Sequence, residues 1–221
     1  MSAFTPDGGR QTYYGLYPAL VTDLVDPDGL GRIELEFPWL GSPGRDEVRA
    51  WATLLSPYAD DDQGLQALPE VGSQVVVGFE AGNLRRPYIV GACWNGQEAL
   101  PSRPQAPNNI RVLKTRSGSQ LEFDDSDGAV KVTLTTAGGH RVELDDGGSS
   151  VTVRHSGGSS ITFAASGNIE ITATGTVELT ASVLNVHAPA ANFDGNITCM
   201  NLTAQVGIVS PMYTPGAGNI W

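Results

Sequence analysis

Sulfur, imidazole and aromatic side chains are scarce in this chain, with two cysteines, three histidines and 7% aromatic residues among 221. Cys93 and Cys199 lie far apart with no CxxC spacing. That excludes a disulfide scaffold and a cysteine zinc centre and leaves two separate buried thiols as the expectation. Positive charge is scarce too, with 13 Lys and Arg against 24 Asp and Glu and a net charge of −11. Divided after Arg103, the first part carries 14 acids and 7 bases and the second 10 acids and 6 bases. Neither part is basic, so no nucleic-acid partner is expected. No basic stretch followed by an apolar run opens the chain, so no signal peptide is expected. No apolar run approaches the roughly 20 residues of a membrane span. Helical periodicity is missing from the whole stretch between Leu121 and Val186.

What is abundant is Gly (27) and Pro (14), the vocabulary of turns. From Leu121 onward, apolar residues recur in pairs with one residue between them. The pairs are Leu121/Phe123, Val132/Leu134, Val142/Leu144, Val151/Val153, Ile161/Phe163, Ile169/Ile171 and Val177/Leu179, and Leu184/Val186 closes the run. Such spacing puts both members on one face of a strand. Between the pairs sit Asp127-Gly128, Gly138-Gly139, Gly147-Gly148, Gly157-Gly158, Gly167-Asn168 and Thr174-Gly175, which are turn formers. A longer repeat overlies the pairs: Gly118-Ser119-Gln120-Leu121-Glu122-Phe123-Asp124-Asp125 is echoed from Gly139 to Asp146 and, more weakly, from Gly158 to Phe163. A repeat of roughly 20 residues holding two short strands is a solenoid signature. Short strands with so few apolar side chains need strands on both edges and a shared interior, which a β-helix supplies. Periodicity alone leaves open whether one chain coils or several wind together.

The N-terminal part reads differently. Residues 1–12 form a polar arm. Strands are expected at Tyr14–Val25, Arg32–Phe37, Val48–Leu55, Ser73–Glu80 and Pro87–Cys93, with an irregular segment from Ser56 to Gly72. Five strands in so short a span, with no helix required, point to an OB-fold barrel over 13–100. Pro101, Pro104 and Pro107 mark a linker over 101–110. The needle and tip then run over 111–221. After Leu179, Asp194 is the only formally charged side chain.

Catalytic constellations do not stand out. Asp60 to Asp62, Asp124/Asp125 and Asp145/Asp146 fall at turns, where Asp caps the backbone. No Ser-His-Asp or Cys-His set and no phosphate loop is legible. Trp39, Trp51, Tyr58, Phe79, Tyr88 and Trp94 could stack bases on an OB surface, but without basic companions they read as core and subunit contacts.

Two stretches carry a resemblance. One is Gly31 to Trp39 followed by Trp51-Ala52. The other runs Pro69-Glu70-Val71-Gly72, then Val75-Val76-Val77-Gly78-Phe79, Gly82-Asn83 and Arg86-Pro87-Tyr88-Ile89-Val90-Gly91. The chain from Tyr13 to Leu100 resembles the OB domain of phage baseplate assembly protein V and of the VgrG-type spikes of contractile injection systems. The resemblance implies an all-β protein, with an N-terminal five-stranded OB-fold barrel followed by an intertwined trimeric β-helix. Its shared interior would hold the pairs from Leu121 to Leu179 listed in order above, with Trp221 at the tip. The implied role is a structural central spike, a cell-puncturing needle, and not an enzyme. Partners would be two further copies, hub and tail-tube proteins at the barrel end, a PAAR-type apex protein at the C-terminus and the target envelope. The spike would be assembled in the cytoplasm into a virion or particle baseplate. No hub-like or lysozyme domain is legible, so a short stand-alone spike is expected. Some relatives hold a tip metal through a His-x-His; here Asn185-Val186-His187 makes His187 the candidate ligand, and no cofactor is expected otherwise. A solenoid adhesin or carbohydrate-binding protein is the alternative, and a spike-borne lytic enzyme the third.

Overall fold

A computed structural model describes residues 12–40, 47–207 and 209. It divides the chain into two units, 1–174 and 175–221. The expected arm over 1–12 lies outside the described residues except for Thr12, and so does the tip residue Trp221.

The first unit begins with a barrel. Its strands are β1 (Tyr17–Asp23), β2 (Ile33–Glu36) and β3 (Arg49–Leu54), then a two-residue pair β4 (Ala59–Asp60) and β5 (Gln63–Gly64), then β6 (Gln74–Phe79) and β7 (Pro87–Ala92). The closed order is β1-β2-β3-β7-β6. All pairings are antiparallel except β3 with β7, where Thr53 faces Tyr88 and Leu54 faces Ile89. Alternation decides the inside: Ala19 and Val21, Ile33 and Leu35, Ala52, Val75 and Val77, and Ile89 are all buried around Phe37. Register shifts at Val21/Asp23 and at Val76/Val77 bend the strands where closure needs curvature.

Tyr13, Tyr17, Phe37, Trp39 and Phe79 plug one end of the barrel, with Tyr17 stacked on Trp39 at 4.7 Å between ring centroids. Two of their polar handles are spent on backbone. Trp39 Nε1 donates to Pro18 O at 2.8 Å, and Tyr17 Oη to Tyr14 O at 3.1 Å. These aromatics pack the barrel and offer no open stacking platform.

The turn between β1 and β2 is clamped by Asp26. Its carboxylate accepts backbone N–H groups of Asp28, Leu30 and Arg32 and two guanidinium donors of Arg32. Arg32 also reaches Asp28 and lies 5.8 Å from the Trp51 ring centroid. The Arg32 side-chain bonds hold the Asp26 carboxyl well below the usual carboxylate range, helped by the two backbone donors. Asp26→Ala should therefore lower the melting temperature near neutral pH. A depressed folded pKa contributes stability above the unfolded value and loses it as pH falls. The gap between variant and parent should thus narrow below about pH 4 and close only in strong acid. Melting curves at several pH values check this.

Beyond the barrel, one seven-stranded sheet follows. Its strands are β8 (Ile110–Lys114), β9 (Gln120–Asp124), β10 (Lys131–Thr135), β11 (Arg141–Asp145), β12 (Ser150–Arg154), β13 (Ser160–Phe163) and β14 (Ile169–Thr172), each antiparallel to the next. Within one chain this is a meander of hairpins and not a coil. The reason lies in the turns. Gly118, Gly139, Gly158 and Gly167 each donate N–H to the carbonyl three residues back, at 2.8–3.0 Å. All four have positive φ, between 82° and 99°. A left-handed glycine closing such a short loop reverses the strand on itself. The 20-residue repeat is the distance between equivalent turns on one side of the sheet: Gly118, Gly139 and Gly158 all lie there.

The turns on the other side touch one another. A Cβ on Gly147 would sit 2.5 Å from Gly128 O and 2.9 Å from Ala129 Cα. Gly147→Ala forces two backbones apart and should cost about 1–3 kcal/mol, read from denaturant unfolding of the sheet.

Candidate functional site

The register sorts the meander into two unlike faces. Leu121 lies opposite Leu134, Leu134 opposite Val142, Val142 opposite Val153, Val153 opposite Ile161 and Ile161 opposite Ile171. A second apolar row runs beside it through Phe123, Val132, Leu144, Val151, Phe163 and Ile169. Every apolar pair from Leu121 to Ile171 that the sequence singles out therefore shares one face, two residues wide. The opposite face carries Glu122, Thr133, Glu143, Thr152 and Thr162.

Burial runs against hydrophobicity here. Thr133, on the polar face, is 4% exposed, whereas Leu134 beside it is 49% exposed and Phe163 47%. Among the described residues of this unit, nothing covers the apolar face. An antiparallel sheet keeps one face on a core and one in water, and in this chain the face built for a core is the open one. An exposed contiguous apolar surface of this kind marks an interaction site.

The second unit takes the same theme further. Val177 is 54% exposed, Leu179 74%, Leu184 67% and Val186 67%. No strand follows Thr172 among the described residues. The expected strand pairs Val177/Leu179 and Leu184/Val186 thus form no strand. Their alternation is legible, and among the described residues no strand pairs with them. Cys93 and Cys199 are exposed and free, a correction to the expectation of buried thiols. Cys93 falls just past the end of β7, and Cys199 lies in the segment without strands.

The motif residues of the barrel have structural jobs. Gly72, with positive φ, donates to Val21 O at 2.8 Å and seats the loop against β1. Gly82 accepts the Tyr13 N–H at 2.9 Å, and a Cβ there would sit 3.1 Å from that nitrogen. Arg86 pairs with Glu80 at 2.9 Å across the β6–β7 turn. Residues 17–94 match the family model of the type VI secretion system/phage-baseplate injector OB domain. The barrel belongs to this family. Relatives match a longer stretch of the chain. The type VI secretion system spike protein VgrG3 of Vibrio cholerae is 26% identical over 48% of this chain and 11% of its own length. The actin cross-linking toxin VgrG1 of Vibrio cholerae is 25% identical over 52% of the chain and 12% of its own length. The spike protein VgrG1b of Pseudomonas aeruginosa is 22% identical over 54% of the chain and 17% of its own length. The chain thus spans less than a fifth of these relatives.

Around and below the injector OB domain, the candidate catalytic carboxylates are occupied with turns. Asp60 Oδ1 accepts the Asp61 N–H, Asp124 Oδ1 the Ser126 N–H, and Asp145 Oδ1 the Gly148 N–H. Bonds from the Ser126 side chain and backbone hold the Asp124 carboxyl below its ordinary range. An open groove of about 330 Å³ beside the barrel is lined by Leu54, Leu65, Leu68 and Ile89 among others, with few polar groups.

Two of the three histidines pair with each other. His140 and His155 face each other with ring centroids 4.5 Å apart. The Nδ1 of His140 accepts the Ser156 N–H at 3.3 Å, and that of His155 the Gly157 N–H at 2.9 Å. His187 lies in the unpaired segment, and the described residues hold no group of three or more His, Cys, Asp or Glu able to bind a metal. Among the described residues, no helix is long and apolar enough to cross a membrane.

Proposed function

We propose that this chain is the central spike of a contractile phage tail baseplate or related injection system, working as a homotrimer below the tail tube. The observation that carries the reading is the uncovered apolar face on a sheet that follows an injector OB domain. Three copies set face to face would hide those rows along one axis, removing roughly 20–30 cal/mol of unfavourable hydration for each Å² of apolar surface covered. The segment from 175 onward would then find its missing strand partners in neighbouring copies, giving the lower needle its β-helix. Val177 and Leu179 would join the shared interior there. A closed trimer leaves free strand edges only at its ends, and interlaced chains come apart slowly.

The role is mechanical. Sheath contraction does the work, and the rod delivers it to a narrow area of the target envelope. No catalytic step and no cofactor enter. The barrel end would dock on hub and tube proteins, and the far end would carry the tip or a separate apex protein. The spike would reside in the virion or injection particle. The relatives' spike role supports this reading, as does the use of the carboxylates as turn caps.

The test is to purify contractile particles from cells making a tagged copy and image them. Tag density on the particle axis at the baseplate is expected; particles that assemble and puncture normally without the chain would overturn the proposal.

A further inference from the structure

The two turn-bearing edges of the β8–β14 sheet carry opposite charge. The turns joining β8 to β9, β10 to β11 and β12 to β13, with the strand ends beside them, hold Lys114, Arg116, His140, Arg141, Arg154 and His155 and no acid. The turns joining β9 to β10 and β11 to β12, on the other edge, hold Asp124, Asp125, Asp127, Asp145 and Asp146 against one base, Lys131. Some of these charges already have partners in the chain. Arg116 pairs with Glu70, Arg141 with Glu143, Arg111 with Asp125, and Lys131 with Asp145. Lys114 and Arg154 on the basic edge, and Asp127 and Asp146 on the acidic edge, are in no ion pair among the described residues. The chain as a whole is acidic, so sorting its bases onto one edge is not what composition alone would give.

We propose that the basic edge of one copy docks on the acidic edge of the next, so that the three sheets close head to tail around the axis. This rests on the trimer reading above and adds to it which surfaces meet and in which direction. A heterologous contact closes into a ring only if each copy carries both complementary edges, as this one does. Like edges could not meet: an arrangement that reversed one copy would set basic turns against basic turns.

The turns also fit by height. Those on the basic edge fall at the β8/β9, β10/β11 and β12/β13 levels, and those on the acidic edge at β9/β10, β11/β12 and β13/β14. The offset is one strand, about 4.8 Å, so turns of one edge can sit between turns of the other. At such a corner Lys114, at the end of β8, comes within about one strand spacing of the Asp124–Asp127 turn after β9, and Arg154, at the end of β12, within about one of Asp145 and Asp146 after β11. Exposed pairs of this kind set register and speed encounter; the apolar face supplies the affinity.

Two measurements on the full chain test the edge pairing. In the first, carbodiimide treatment of trimers mixed from light and heavy isotope-labelled copies should join Lys114 of one copy to an aspartate of the Asp124–Asp127 turn of another. In the second, Lys114→Glu/Arg154→Glu reverses one edge and Asp127→Lys/Asp146→Lys reverses the other. Each pair alone should slow recovery of trimer from dilute unfolded chain about tenfold or more at low salt, and all four together should restore the rate. If wild type forms trimers but Lys114 is never linked between copies, or all variants recover alike, the edge pairing is overturned and the trimer stands. If wild type stays monomeric, both fall.

Discussion

Val151→Asp is expected to abolish the proposed trimer while leaving the barrel of each chain folded. Val151 is 38% exposed in the single chain and lies between Leu144 and Phe163 on the apolar face. A lone chain would tolerate a carboxylate there, because water already reaches the site. Three copies closed around one axis would not, since each would bring an unpaired charge into a dry interior at a cost of several kcal/mol per ion. The contrast with Thr152→Lys carries the argument. Thr152 is in the middle of β12 on the polar face opposite Glu143, so a lysine there meets an acid and should leave assembly intact. Sedimentation of both variants beside wild type reads the outcome. Equal assembly of the two would mean that the apolar face is not an interior.

Phe37→Ala should unfold the barrel without undoing the sheet that follows it. Phe37 is 1% exposed and packs against Trp39 and Phe79 at ring-centroid distances of 6.1 and 5.6 Å. Removing a buried phenylalanine costs about 3–5 kcal/mol. A barrel of this size has a stability of the same order, so the change consumes most of it. Two thermal transitions are expected in the variant, the barrel's falling steeply and the sheet's remaining. Calorimetry of wild type and variant checks this; a single transition shifted as a whole would show that barrel and sheet unfold as one cooperative body.

Much of this architecture is legible in the residues. The five barrel strands follow from alternation, since Ile33, Leu35 and Phe37 point one way and nothing about their neighbours competes. The injector motif is legible because its glycines and the Arg86–Glu80 pair sit at turns whose geometry admits few substitutes. The apolar rows from Leu121 to Ile171 are equally plain, as strand parity fixes the face whatever the partner. What periodicity could not give is the connectivity. A 20-residue repeat of two strands fits a coil and a meander alike, and the left-handed glycines at 118, 139 and 158 decide for hairpins. Nor does any pattern in Val177/Leu179 or Leu184/Val186 reveal that they stay unpaired among the described residues of the chain. The charge sorting between edges escaped too, because it needs the register: Lys114 and Arg154 are 40 residues apart in sequence and share an edge only once the strands are stacked.

Native mass spectrometry of the purified chain at low micromolar concentration tests the proposed assembly most directly. Each chain weighs 23.2 kDa. The account predicts a species of three chains, about 70 kDa, that persists on dilution because interlaced strands separate slowly. A stable monomer, or a face-to-face dimer of about 46 kDa, would contradict it.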